Sequence, residues 1–145
     1  MLFRSTTPQG HILVNSGFER TVPLIQKSVE SLGFKMTDVK ILLASHAHSD
    51  HVAGHAMLRK ITGAKVYVMR GDDQIIASGG KGQYLYTKDR WAPCKVDRVL
   101  QDRDEVKLGG VRLHYVPAFT VSGILEGFSS ECPDGEIGRR NGLVD

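Results

Sequence analysis

The sequence predicts an α/β fold. Three observations carry that expectation: strand-like and helix-like runs alternate from His11 to Ser78, Val39 to Ala44 is an almost continuous apolar run, and Gly109-Gly110 separates two short strand-like runs. Alternating strand and helix favours a sheet with parallel neighbours, and strands buried on both faces read as unbroken apolar runs.

The elements follow in order. Ile12, Leu13 and Val14 make His11 to Asn15 a short strand, stopped at Ser16-Gly17. From Arg20 to Leu32 the apolar residues Val22, Leu24, Ile25, Val29 and Leu32 keep the helical period. Thr21 and Pro23 suit the start of that helix and Gly33 its end. Val39 to Ala44, with one lysine, has the length of a buried strand. Ser45 to Asp50 is polar and breaks the period, and Val52 to Thr62 resumes a helical pattern that Gly63 stops. Ala64 to Met69 alternates as a strand. Gly71 to Ser78 suits a short helix with Asp72 and Asp73 in its first turn, where acids complement the helix dipole. Gly79 to Pro93, rich in glycine and aromatics, reads as a surface loop, and Val96 to Leu100 as a strand. Glu105 to Leu108 and Val111 to Val116 flank Gly109-Gly110 as a hairpin. From Phe119 to Asp145 no period is visible, and this tail is not expected to continue the sheet.

Composition bounds the function. A chain of 145 residues makes one modest domain, and 41% hydrophobic with 24% charged residues fits a globular chain. No run approaches the ~20 apolar residues that span a bilayer. Met1 to Gly10 lacks the apolar core of a secretory signal, so neither membrane insertion nor export is expected from the chain as written. The net charge is +3, the basic residues are scattered apart from Arg139-Arg140, and no basic stripe is interleaved with aromatics, which argues against nucleic acid as a partner. Cys94 and Cys132 form no CxxC pair and read as plain thiols. Of six histidines, His46, His48, His51 and His55 cluster in one segment.

That segment, Ser45-His46-Ala47-His48-Ser49-Asp50-His51, directly follows the apolar strand, and strand ends in open α/β sheets are where ligands bind. In an extended turn residues two apart share a side, so His46, His48 and Asp50 face one cavity, while His51 enters the next helix. Neutral imidazole and carboxylate are zinc's preferred ligands, and four such groups in so short a stretch suit two adjacent metals better than one. Without a cation they would repel or stay unsatisfied. His55 shares a helix face with His51 and is expected on the helix surface or behind the ligands. His11 and His114 lie in strand-like runs and are expected to be structural.

The HxHxDH pattern resembles the signature of the metallo-β-lactamase superfamily, and the flanks resemble class B, subclass 3 metallo-β-lactamases. The similar stretches are Thr7 to Asn15, Ser45 to Gly54, Gly71-Asp72, Ser78 to Gly80, Val96 to Leu100, and the Leu108-Gly109-Gly110 hairpin. The resemblance covers about Thr7 to Val116. It implies an αββα sandwich, here incomplete and mostly its N-terminal half. It implies that His46 and His48 bind one zinc ion, that Asp50 and His51 bind a second, and that Asp50 also orients the nucleophile. The implied activity is opening of the β-lactam ring by a hydroxide generated at the metals, on small-molecule antibiotics, in the periplasm for full-length relatives. Two alternatives stand beside it: another hydrolase of the superfamily, such as a glyoxalase II-like thioesterase, and a non-enzymatic zinc-binding remnant.

The chain departs from the family where a Gly-His-Thr segment should bring another histidine to the first zinc. It reads Pro117-Ala118-Phe119-Thr120. The further histidine of the second zinc is missing as well. The expected organisation is a partial domain over 1–117 and a divergent, frameshifted or disordered tail over 118–145, with a frameshift set against a genuinely divergent C-terminus. A frameshift has a concrete signature: codons GCA-TTC for Ala118-Phe119, read one base later, restore a histidine codon, CAT. The gene is expected to carry CAT in that frame; codons there that exclude it refute the frameshift.

Overall fold

The computed structural model describes residues 3–83, 86–120 and 123–131, with side chains for 6–83 and 86–114. Apolar alternation sorts the strands of the larger sheet onto two faces. This sheet has the order β1 (Phe3–Thr7), β2 (Gly10–Val14), β3 (Val39–Leu43), β4 (Lys65–Met69), β5 (Arg98–Leu100). The β1–β2 pair is antiparallel, and β2, β3, β4 and β5 run parallel to one another. Leu13, Leu42, Val66 and Val68 point to one face and join a core with Val22, Ile25, Val29, Leu58 and Ile76 from the covering helices. Those helices are α1 (Val22–Ser31), α3 (His55–Thr62) and α4 (Asp72–Ala77). Ile12, Val14, Ile41, Leu43, Met69 and Leu100 point to the other face and meet Val106 and Leu113 of a second sheet. The second sheet is antiparallel, in the order β6 (Glu105–Leu108), β7 (Val111–Thr120), β8 (Gly123–Glu131). The layers are therefore helix, sheet, sheet, which is the N-terminal part of the expected sandwich. β3 is flanked on both edges and buried apart from Lys40, as its apolar run predicts.

Four differences from the sequence reading have physical causes. β1 was not expected, because Arg4 to Thr7 offers no apolar alternation. It forms at the sheet edge through a turn at Pro8-Gln9, where the Thr7 hydroxyl donates to the Gly10 carbonyl (2.9 Å) and accepts from the Gln9 amide (3.1 Å). The helix expected over Val52 to Thr62 is broken: α2 (Ser49–Val52) ends before Gly54, and α3 starts at His55. The strand expected from Val96 begins only at Arg98, because Asp97 turns inward. Its carboxylate accepts the Val66 amide (2.9 Å) and pairs with Arg59 of α3. The tail is the main correction. β7 continues through Pro117 to Thr120, and β8 pairs with it from Thr120↔Gly123 to Arg112↔Glu131. An edge strand presents a row of open N–H and C=O groups, and a returning backbone satisfies them whatever its side-chain pattern. Residues 132–145, with Cys132 and Arg139-Arg140, lie outside the described residues.

The break between α2 and α3 is tightly packed. Gly54 donates its amide to the Gly17 carbonyl at 2.9 Å, and a Cβ at Gly54 would lie 2.8 Å from Val22 Cγ2 and 3.0 Å from the Ser16 carbonyl oxygen. A carbonyl in a bonded loop has little room to retreat. Gly54→Ala is therefore expected to cost about 1–3 kcal/mol, seen as a lower thermal unfolding midpoint; an unchanged midpoint contradicts this packing.

Candidate metal centre

The site is built where β3 leaves the sheet. Ala44 is still buried, and the chain then turns polar through Ser45 to His48. His48 is extended (φ −93°, ψ 152°) and caps α2, its carbonyl accepting the amides of His51 and Val52 at 3.0 Å each. Asp50 falls in the first turn of α2, and His51 one residue later. The loop leaving β2 is stitched to the same turn. Asn15 N–H donates to the Leu43 carbonyl (2.8 Å) and Ser16 N–H to the His51 carbonyl (2.7 Å).

This backbone brings three imidazoles together. The His46 ring lies 4.6 Å from that of His48, edge to face, and 3.9 Å from that of His51, tilted. His51 Nε2 lies 3.4 Å from Asp50 Oδ2, and Asp50 is the most exposed of the four. The Ser45 hydroxyl sits 3.2 Å from Nδ1 of both His46 and His51. Burial, then the neighbouring His51 and His48 rings, push His46 down to about 4, against an upward pull from Asp50. Burial also lowers His51, with Asp50 opposing. Both rings therefore keep a free lone pair at neutral pH.

Chemically this donor set fits a borderline-soft dication: neutral imidazoles that would repel one another if protonated, beside a carboxylate. Geometrically it is not closed. Among the described residues no group of three His, Cys, Asp or Glu side chains is arranged to hold one ion. The fit thus rests on the kind and proximity of the donors.

His55 does not join the cluster. The helix break turns it inward, where it is fully buried with Nδ1 2.7 Å from the Ser16 hydroxyl, so the expectation of a surface position is corrected. It stands behind the site instead, because the same hydroxyl approaches the His51 carbonyl at 3.2 Å. His11 is buried edge-on against Phe34 (4.7 Å), and His114 lies 3.8 Å from Glu105 in the second sheet. Cys94 is a buried free thiol.

Several residues around the cluster escaped the sequence reading. Asn15 bonds both Ser45 and His51. The expected loop over Gly79 to Pro93 supplies Tyr86, whose ring lies edge-on 5.0 Å from His48, and Asp89, which accepts from the Ser49 hydroxyl. Asp72 stands under the turn. Burial raises its pKa, while the Ala47 amide and His48 pull it down. Asn15 had a usable signal, a polar residue at the exit of a strand next to β3. Tyr86 and Asp89 had none, since a loop's path is not written in periodicity.

Comparison with a family model and with solved structures agrees with this architecture. A model of the metallo-beta-lactamase superfamily matches residues 1–130. The chain belongs to the metallo-β-lactamase superfamily. It is similar to the FEZ-1 metallo-beta-lactamase of Legionella gormanii, with 40% identity and a TM-score of 0.83, over 88% of this chain and 50% of that one. It is also similar to the class B3 di-zinc metallo-beta-lactamase LRA-12 from an Alaskan soil metagenome (35% identity, TM-score 0.83, 90% of this chain and 49% of that one). A metallo-beta-lactamase of Cronobacter sakazakii matches at 33% identity and TM-score 0.85, over 93% of this chain and 54% of that one. The chain spans about half the length of these solved structures.

Burial pushes His55 from its ordinary 6.5 down to about 4. As pH falls below 6.5 the unfolded chain takes up a proton that the folded chain refuses until about pH 4. Stability present above that window is lost on descending through it. At 1.36 kcal/mol per pH unit the loss from His55 is about 3 kcal/mol. Urea unfolding across this range is expected to show a steeper pH dependence for the native sequence than for His55→Gln; equal slopes contradict a buried neutral imidazole.

Proposed function

We propose that the chain is a zinc-dependent hydrolase of β-lactam rings, weakened in this form. The observation that carries this reading is the turn after β3, where His46, His48 and His51 pack together and Asp50 adjoins His51 in a member of this superfamily. His46 and His48 hold one zinc ion, and Asp50 with His51 holds a second. Zinc, when bound, acidifies water and polarises a carbonyl. The residues do the rest. Burial keeps His46 and His51 from taking up a second ring proton, so each ring stays neutral. The exposed Asp50 carboxylate accepts a hydrogen bond from the attacking water and so aims it. Tyr86, half-exposed beside His48, lines the approach of the substrate. For full-length relatives of this kind the implied site of action is the periplasm.

Weak activity follows from Pro117 to Thr120, which contribute no imidazole, so that of this chain's histidines only His46 and His48 would hold the first zinc. The test is zinc content after desalting, with hydrolysis of a carbapenem and a cephalosporin measured beside a glutathione thioester. The expected outcome is bound zinc that falls in both His46→Ala and Asp50→Ala, and slow, chelator-sensitive β-lactam turnover. Unchanged zinc in both variants refutes the site. Turnover of the thioester alone assigns the substrate to the other branch of the superfamily.

A further inference from the structure

Asn15 combines three features that do not belong to an ordinary loop residue. Its φ is +63°, a left-handed conformation. It is buried, with 7% of its surface exposed. Both ends of its amide are engaged across the fold: Oδ1 accepts the Ser45 N–H at 2.9 Å, and Nδ2 lies 2.9 Å from His51 Nδ1. A strained, buried residue that bridges the two ends of a functional turn is held there by its surroundings.

The direction of these bonds is decided by chemistry. A backbone N–H only donates, so the amide end facing Ser45 is the oxygen and the end facing His51 is the nitrogen. An amide nitrogen only donates, so His51 Nδ1 accepts. A neutral imidazole carries one ring proton, which therefore sits on Nε2, 3.4 Å from Asp50 Oδ2. Nε2 is the nitrogen that shares a face with Asp50, and the one a cation there would need bare.

We propose that Asn15 is a positioning residue that sets the tautomer of His51, placing the ring proton on Nε2 toward Asp50. Ligation through Nε2 then requires that proton to leave or to move to Nδ1, and a proton on Nδ1 breaks the Asn15 bond. The residue thereby restrains metal capture by the Asp50–His51 pair. The metal half of this inference rests on the zinc reading above; the tautomer half does not. An aspartate at this position also tolerates the left-handed conformation. Its carboxylate accepts from both Ser45 N–H and His51 Nδ1–H, which reverses the bond and bares Nε2.

The test uses the full chain, stripped of metal by chelator, with long-range proton–nitrogen NMR of His51 at neutral pH. The native sequence is expected to show the Nε2–H form and Asn15→Asp the Nδ1–H form, with cobalt(II) bound about tenfold more tightly by the variant in an optical titration. An Nδ1–H form in the native chain overturns the proposal without any variant. An unchanged tautomer in Asn15→Asp also overturns it, even if cobalt binds more tightly, since the added charge alone would then explain the gain. If the tautomers exchange as expected and neither protein binds cobalt, the positioning role stands and the zinc hydrolase reading falls.

Discussion

The candidate centre depends on how two neighbouring parallel strands let go of each other. β2 and β3 are bonded up to Leu43, where the Asn15 amide still follows the ladder. Beyond that point the backbones part, one toward α1 and the other into the histidine turn. The gap is bridged by the Asn15 side chain, and then Ser16 bonds the backbone of α2 and the Gly17 carbonyl accepts the amide of Gly54, between α2 and α3. A turn with four ionisable side chains has no apolar reason to hold one shape. Here the shape is imposed from β2, through bonds to backbone groups that cannot be placed otherwise.

Behind that turn the electrostatics are simple. The imidazoles are near enough that protonating one opposes protonating the next, and partial burial already disfavours charge. His46 and His51 remain neutral donors under conditions where free histidines begin to charge. The negative group, Asp50, stays at the solvent-facing side. A cation entering this arrangement meets lone pairs behind it and a carboxylate in front, and has no protonated neighbour to displace except the proton on His51 Nε2.

Much of the first sheet was legible in the sequence. β2, β3, β4, α1, α4, β6 and the start of β7 lie within a residue or two of where apolar period and glycine stops put them. The histidine pattern likewise announced its own cluster, because a tight turn brings near residues together whatever the rest of the chain does. The misses share a cause. β1 and β8 are strands by backbone pairing, and their side chains carry no alternation for a reader to find. The Val52 to Thr62 helix is broken because a loop from β2 presses on Gly54, a contact between segments far apart in sequence.

The sequence by itself determined the class of fold, the buried central strand and the kind of donors at its tip, since these depend on local period and on residue chemistry. Only the tertiary structure decided which neighbours stand behind those donors: Asn15 and Ser16 from the loop leaving β2, Asp72 from α4, Tyr86 and Asp89 from the long loop. The reason is physical. A hydrogen bond across the fold leaves no periodic trace in either partner, because it is satisfied by position rather than by pattern.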